Sequence, residues 1–380
     1  MARTGPQRVA VLGAGPVGLE AALQAAHAGH RVTVYERGDV AEAVNQWGHV
    51  RLFTPFGQLA SPLGLEVIRR EHPQHQVPGP TDLVTGHEYR DAYLVPLTVT
   101  AKLGEAVQAK TNVVAIGRGG LLRSDPASDP RRAAAPFRLL LRNETSSEKV
   151  DEADVVLDCT GTYGRHCWLG DGGIPALGEI AAERHIAYGL EDILGKRKAH
   201  YAGKSVIVVG GGYSAATTVC ALAQLAEENS ATWVIWLTRG PRSSPLPRLA
   251  NDPFKERDRL AARANNLAAR GDGNVEYRPQ TLIDEVTCHG PDKGFRVVAR
   301  CNGKPMTWEV DRVIGNVGYF ADANLTREIH AGEPAGGEVR RLEPGYFVLG
   351  ARSFGRDPDF LIQRGFEQVR EVTRLIGKGT

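Results

Sequence analysis

Gly13, Gly15 and Gly18 fall in the spacing G-x-G-x-x-G, and Glu36 follows them. That set suits the binding of a dinucleotide. The first glycine allows a tight turn, the second lets backbone approach a pyrophosphate, and the third lets a helix lie close on a strand. A carboxylate in the place of Glu36 accepts hydrogen bonds from a ribose diol. A second set, Gly210, Gly212 and Ala215, has the spacing G-x-G-x-x-A and leads to Arg239 and Arg242. A ribose 2′-phosphate wants a guanidinium where a free 2′-hydroxyl wants a carboxylate. The second set therefore reads as a cradle for NADPH rather than NADH.

Each set needs a strand before it and a helix after it. Val9–Leu12 is a run of apolar, strand-forming character. Leu19–Ala26 is alanine-rich and suited to a helix, and Arg31–Tyr35 is the next strand, ending at Glu36. The helix start, at Pro16, then turns free N–H groups and partial positive charge toward the phosphates. The second half repeats the plan. A strand covers Lys204–Val209, Tyr213 and Ser214 stand in the turn, a helix runs over Thr217–Glu227, and a strand covers Thr232–Thr238. After the first unit come strands at Thr111–Ile116, which holds Val113, at Phe137–Leu141 and at Lys149–Ala153. A buried strand then ends at Thr160-Gly161. After the second come Gly294–Cys301, an Asn302-Gly303-Lys304 hairpin turn, Met306–Val310 and the stretch Asp311–Tyr319, which repeats the design of Asp154–Gly161. Both halves thus read as glycine turn, helix, hairpin and a strand ending at glycine, an internal duplication. The chain closes with a strand over Gly345–Gly350, a loop over Ala351–Pro358, and a helix expected to start at Asp359 and run on through Phe360 and Leu361.

Three further stretches carry candidate residues. Asn45–Phe56 mixes aromatic residues with Trp47, His49 and Arg51, and reads as a lid over a flat ring. Pro96 is expected to break the helix around Tyr89–Leu97. The glycine-rich connection Thr162–Gly195 holds Tyr163, His166 and Trp168. Of these, His166 is the candidate for acid–base work and Trp168 for walling the reaction site. The five cysteines (159, 167, 220, 288 and 301) include no C-x-x-C pair, so an adjacent redox dithiol is not expected. The histidines and cysteines lack metal-ligand spacing, and no metal is expected.

At 380 residues the chain has room for two domains. A formal net charge of +2 gives no case for nucleic acid or an anionic membrane as partner. No apolar stretch approaches the ~20 residues that a spanning helix needs. The amino-terminal residues also lack a signal-peptide core. The expectation is a soluble, cytoplasmic protein.

These residues resemble the flavoproteins with two dinucleotide-binding domains: thioredoxin reductases, flavin-containing monooxygenases and N-hydroxylating monooxygenases. The resemblance spans nearly the whole chain. It rests on Gly13-x-Gly15-x-x-Gly18 with Glu36, on Thr160-Gly161, on Gly210-x-Gly212-x-x-Ala215 with Arg239, and on Gly350 before the last helix. It implies an α/β fold of two Rossmann-like domains, the NADPH domain inserted into the FAD domain. The expected bounds are 1–197 and 317–380 for FAD and 198–316 for NADPH. FAD would meet Gly13, Gly15, Pro16, Gly18, Glu36, Arg37, Trp47, Arg51, Val113, Thr160, Gly161, Gly350, Phe360 and Leu361. NADPH would meet Gly210, Gly212, Tyr213, Ser214, Ala215, Arg239 and Arg242. The start of the last helix, if aimed at the flavin, would favour its reduced, negative form. Trp47–Phe53 and Tyr201–Lys204 are similar to bacterial monooxygenase-like flavoproteins.

The sequence departs from the family in three places. The C-x-x-C of thioredoxin reductases is missing. The monooxygenase pattern F-x-G-x-x-x-H is not intact around Ile174–Glu179 and His185. The usual Gly-Asp near the end is Gly350-Ala351-Arg352. The implied activity is hydride transfer from NADPH to FAD, with oxygen and a small organic substrate taking the electrons as in a monooxygenase. The alternatives are an NADPH-dependent reductase of a small acceptor, an FAD oxidase with a vestigial NADPH site, and a nucleotide-bound sensor without activity. A homodimer is the family expectation for assembly.

Overall fold

The computed structural model describes residues 5–270, 273–290, 292–332, 336–337, 339, 341–357 and 360–377. Two compact units emerge. One runs to Arg165 and resumes at Tyr319; the other is His166–Gly318. The inserted unit begins well before the expected Lys198. The stretch after His166 bridges to strands of its own unit, Gly170 to Ile283, Leu177 to Glu285 and Ala187 to Ile314. Its Leu169 and Ile186 are buried in that unit's core.

The first unit opens with β1 (Arg8–Leu12), α1 (Pro16–His27) and β2 (Arg31–Tyr35). Val9 and Val11 enter the core under α1, and Ala10 and Leu12 enter the core on the other face. This two-sided burial is why β1 reads as an unbroken apolar run. Helix α2 (Pro62–Glu71) is capped by Ser61, whose hydroxyl accepts from Gly64 N at 3.0 Å.

The helical run over 86–98 corrects one expectation: Pro96 does not break it. A π-helical turn, Arg90–Leu94, precedes the final turn Val95–Thr98, and Val95 N–H bonds to Arg90 O. The carbonyl four residues before Pro96 belongs to Ala92, and proline has no N–H to offer it. His75 Nε2 takes that place at 2.9 Å. After β3 (Val107–Gln108) come β4 (Thr111–Arg118), β5 (Phe137–Asn143) and β6 (Glu148–Ala153), an antiparallel three-stranded sheet. The fully buried β7 (Val155–Asp158) follows it.

In the second unit, β8 (Ser205–Val209), α3 (Tyr213–Glu228), β9 (Trp233–Leu237), α4 (Lys255–Ala269) and β10 (Val275–Arg278) follow in turn. Next are β11 (Thr281–Cys288), β12 (Phe295–Cys301), β13 (Lys304–Val310) and β14 (Arg312–Gly315). The parallel sheet has the order β10-β9-β8-β14, and β11-β12-β13 form an antiparallel sheet. Asn302 and Gly303 turn at φ 49° and 77°, the left-handed pair a tight hairpin requires. The expected hairpin is therefore two strands of a three-stranded sheet, in this unit as in the first. The sequence reading missed β11 entirely.

The chain returns to the first unit with β15 (Arg341–Glu343), β16 (Tyr346–Val348) and α5 (Ile362–Ile376). The expected cap at Asp359 lies outside the described residues. The expected loop after Gly350 contains a 3₁₀ turn, Gly350–Phe354. The completed sheet has the order β15-β16-β7-β1-β2-β3, parallel except for β15 against β16. Glu343 on β15 pairs with Arg132 at 3.0 Å and Arg118 at 3.4 Å, and all three side chains are buried. Removing one partner from such a buried cluster costs about 3–5 kcal/mol, so this cluster ties the last residue of β4, Arg118, to β15.

Candidate functional site

The strands β1, β2 and β7 of the first unit end beside a cleft of about 360 Å³. Gly13, Tyr35, Glu36, Arg37, Thr111–Val114, Thr160, Gly161, Asp322 and Arg352 are among the residues lining it. The three glycines do the separate jobs their spacing implies. Gly13 turns at φ +96°, and a Cβ there would lie 2.8 Å from Cys159 O. A Cβ on Gly18 would lie 1.9 Å from Gly13 O, so only glycine lets α1 come this close. A Cβ on Gly15 would meet nothing within 4 Å. That open side is the approach a pyrophosphate needs. Helix α1 starts at Pro16 with no side-chain cap, which leaves its first N–H groups for an anion.

Glu36 is buried, and its carboxylate is fixed by two backbone donors, Ala14 N at 2.8 Å and Gly38 N at 2.9 Å. Both carboxylate oxygens are thus held as acceptors beside the cleft. Arg37 lies against Gly164, where a Cβ would come within 2.2 Å of its Nη2. Val113 reaches the cleft from β4, where a bulge falls between Val113 and Ala115.

On the cleft floor the structure reveals a group that the sequence reading did not assemble. Asp158, fully buried at the end of β7, accepts from Thr160 N at 3.1 Å and Thr160 Oγ1 at 2.7 Å through one oxygen. The other oxygen accepts from the Tyr346 hydroxyl and lies 2.9 Å from Arg352 Nε. Burial, with Asp158 alongside, raises the Tyr346 phenol pKa far above its ordinary range, so it stays a donor. Desolvation likewise raises the thiol pKa of Cys159, which disfavours a thiolate beside the turn.

Gly15, Pro16 and Gly18 stand at the cap and start of α1 and are not among the residues lining this cleft, and five more residues expected at the first nucleotide do not line it either. Trp47 packs on the core under α1 and against Gly86. Arg51 is exposed and donates to Leu83 O. Gly350 is buried at φ +69°, with its N–H on Gln368 Oε1 at 2.9 Å. Phe360 packs on Phe354, and Leu361 precedes the first turn of α5. Gly350 and Gly365 both face Val17 at the start of α1, so this group adjoins the α1 terminus instead.

In the second unit, Gly210 turns at φ +144°, and a Cβ there would lie 2.2 Å from Asn316 O. Gly212 is open, with nothing within 4 Å of a Cβ, and precedes α3, which also lacks a side-chain cap. Tyr213 opens that helix, Ser214 follows, and Ala215 is fully buried behind the turn. Buried Trp236 donates its indole N–H to Gly210 O at 2.7 Å, a brace that nothing in the motif announced. Arg239 and Arg242 are exposed, and among the described residues neither side chain has a hydrogen-bond or ion-pair partner. The loop that carries them is tied down where Tyr277 OH donates to Arg242 O at 2.8 Å and meets Thr238 Oγ1 at 2.9 Å.

His166 and Trp168 belong to this second unit, whereas Tyr163, Trp47 and Phe53 belong to the first. His166 stacks on Tyr188, with ring centroids 3.5 Å apart, and meets Trp168 edge-on at 4.8 Å. Its Nε2 lies 3.0 Å from Glu183 Oε1 and its Nδ1 3.1 Å from Cys167 O. Both ring nitrogens are taken, so the acid–base role expected of His166 finds no free nitrogen in this arrangement. Tyr188 donates to the fully buried Glu179 at 2.7 Å, and Glu179 also accepts from Leu169 N and Ala176 N. The cluster runs from buried Glu179 through half-buried Tyr188 and His166 to exposed Glu183.

No helix of the described residues is long and apolar enough to cross a membrane. Residues 8–45 match the model of the pyridine nucleotide-disulphide oxidoreductase family. Among curated proteins, none matches the sequence significantly. Solved structures do match along the full chain. Bacillithiol disulfide reductase Bdr from Bacillus cereus has a TM-score of 0.71 at 16% identity, covering 98% of both chains. Ornithine N-hydroxylase from Kutzneria sp. 744 has a TM-score of 0.66 at 16% identity, covering 98% of this chain and 99% of the other. A flavin-containing monooxygenase from Stenotrophomonas maltophilia has a TM-score of 0.63 at 17% identity, covering 98% of both. The fold is thus that of the thioredoxin-reductase-like and flavin-monooxygenase-like structures, two parallel-sheet units with the second inserted into the first.

Proposed function

We propose that the protein is an FAD-dependent oxidoreductase that draws hydride from NADPH and acts as a monooxygenase on a small organic substrate. The observation that carries the reading is the pair of open, uncapped glycine turns with opposite charge beside them. Glu36, anchored by two N–H groups, suits the adenosine ribose of FAD. Unpaired Arg239 and Arg242 suit the 2′-phosphate of NADPH. The residues around the first turn fit FAD: Gly15 leaves room for the pyrophosphate, α1 offers it N–H groups, and Thr160 and Gly161 line the cleft with Gly13. Bound flavin supplies the chemistry, accepting hydride and passing electrons onward. The chain supplies position and charge. The matched family model and the ornithine N-hydroxylase, whose structure was solved with reduced FAD, NADP+ and L-ornithine, support the pairing of the two cofactors.

The cysteines favour oxygen over a protein dithiol as acceptor. No two of them stand in C-x-x-C spacing, and Cys288 and Cys301 stand at opposite ends of the β11–β12 ladder. Burial raises the Cys220 thiol pKa to about 11. A second reading, reduction of a small acceptor without oxygen, is favoured by the likeness to the disulfide reductase Bdr. The two separate by stoichiometry. Under the first, NADPH oxidation stops without oxygen, and one oxygen is consumed per NADPH. Steady anaerobic NADPH oxidation with an organic acceptor replaces it with the second. A protein that oxidises no NADPH under either condition removes both.

A further inference from the structure

We propose that Arg352 is the fixed cation for the diphosphate of the dinucleotide in the first unit, with Asp158 as the residue that positions it. This rests on the FAD reading above. Arg352 is 3% exposed and yet lines the cleft. Of a guanidinium's five N–H groups, two donate to described residues. Nη1 donates to Thr160 Oγ1 at 3.1 Å and Nη2 to Asp322 O at 2.9 Å, both on the cleft wall. Nε is buried without a hydrogen-bond partner, although Asp158 Oδ2 lies 2.9 Å away.

Asp158 does not need Arg352 to be satisfied. Thr160 N, Thr160 Oγ1 and Tyr346 OH already donate to its two oxygens. What Asp158 does is make a buried guanidinium tolerable. A desolvated cation with no countercharge would cost several kcal/mol. The pair thus holds a planar donor on the floor of the cleft with donors to spare.

The remaining charges of the cleft sharpen the choice of ligand. Arg165 is already paired with Asp322 at 2.6 Å, and Arg37 lies against Gly164. Glu36 is an acceptor and repels phosphate. The α1 terminus offers only N–H groups and a partial charge to a diphosphate that carries two negative charges. Arg352 adds a full charge in a fork that matches phosphate oxygens.

Titration of flavin-free protein with FAD, ADP and adenosine tests this. Arg352→Gln is expected to weaken FAD and ADP about tenfold or more and adenosine less than about twofold. Arg352→Lys keeps the charge and is expected to recover most of the ADP affinity. Equal weakening of ADP and adenosine shows a structural role and overturns the assignment, as does unchanged ADP binding. If neither variant folds, hydrogen–deuterium exchange on the unaltered protein decides. ADP is expected to slow exchange over residues 350–354 where adenosine does not, and equal protection overturns the assignment. Unaltered protein that binds neither FAD nor ADP overturns the cofactor reading and this assignment with it. Intact binding that ignores Arg352 overturns this assignment alone.

Discussion

The turn after β1 and the turn after β8 follow one backbone plan and differ in the charge beside them. In both, the first glycine has a left-handed φ and crowds a neighbouring carbonyl, Cys159 O in one and Asn316 O in the other. In both, the second glycine is open and the helix uncapped. The third position already diverges: Gly18 cannot take a Cβ, while Ala215 carries one in a fully buried place. At the end of the next strand the difference is complete. Glu36 is buried and held by two N–H groups, and Arg239 and Arg242 stand exposed and, among the described residues, unpaired. Under the proposed function, the backbone plan provides for phosphate and the side chains beyond it choose the ribose.

The largest effect is expected at the third position. Gly18→Ala places a methyl group 1.9 Å from Gly13 O, an overpacking against backbone that costs about 3 kcal/mol or more. Purified Gly18→Ala protein is expected to lose both flavin and stability in urea. Ala215→Gly is expected to cost only about 1 kcal/mol through helix propensity. Equal losses would mean that the two turns are not built differently after all. An intermediate effect is expected at the charges. Arg239→Ala should weaken NADPH relative to NADH about tenfold, and an unchanged ratio would remove the 2′-phosphate assignment.

The smallest effect concerns the two helices. Helix α1 buries Glu20, whose Oε2 has no hydrogen-bond partner, where α3 carries Thr217 at the matching place. Burial raises the Glu20 carboxyl pKa, against the opposing pull of Ser61, Gln24 and Arg370. A folded-state pKa above the unfolded one means the neutral acid is favoured in the fold. Its contribution is present below the ordinary carboxylate range and is lost as pH rises through the raised value. Glu20→Gln is therefore expected to raise Tm by roughly 2 °C at neutral pH and to change little in acid. A Tm difference that is the same at both ends would contradict the buried-acid account.

Much of this was legible because phosphate binding constrains backbone, and backbone constraints select glycine. Gly13, Gly18 and Gly210 could be read from spacing alone, since each forbids a Cβ. Glu36 followed because it comes directly after a strand. The cleft floor was not legible, since Asp158, Thr160, Tyr346 and Arg352 meet only when β7 and β16 pair in parallel. Arg352 looked like a departure from a pattern rather than half of an ion pair. The surroundings of His166 were not legible either, because the sequence does not show Tyr188 stacked on it or Glu183 at its Nε2. The continuous helix through Pro96 depended on His75, which is remote in sequence and answers the carbonyl that proline leaves.

The central claim is that the two turns hold different nucleotides, and isothermal titration of flavin-free protein with FAD and NADP+ tests it most directly. Gly15 and Gly212 both have room for a side chain at an ordinary φ, −79° and −103°, so an aspartate at either should fold and repel phosphate. The account expects the unaltered protein to bind both nucleotides. Gly15→Asp should weaken FAD about a hundredfold and spare NADP+, and Gly212→Asp should do the reverse. Two variants that lose the same nucleotide, or an unaltered protein that binds neither, would contradict it.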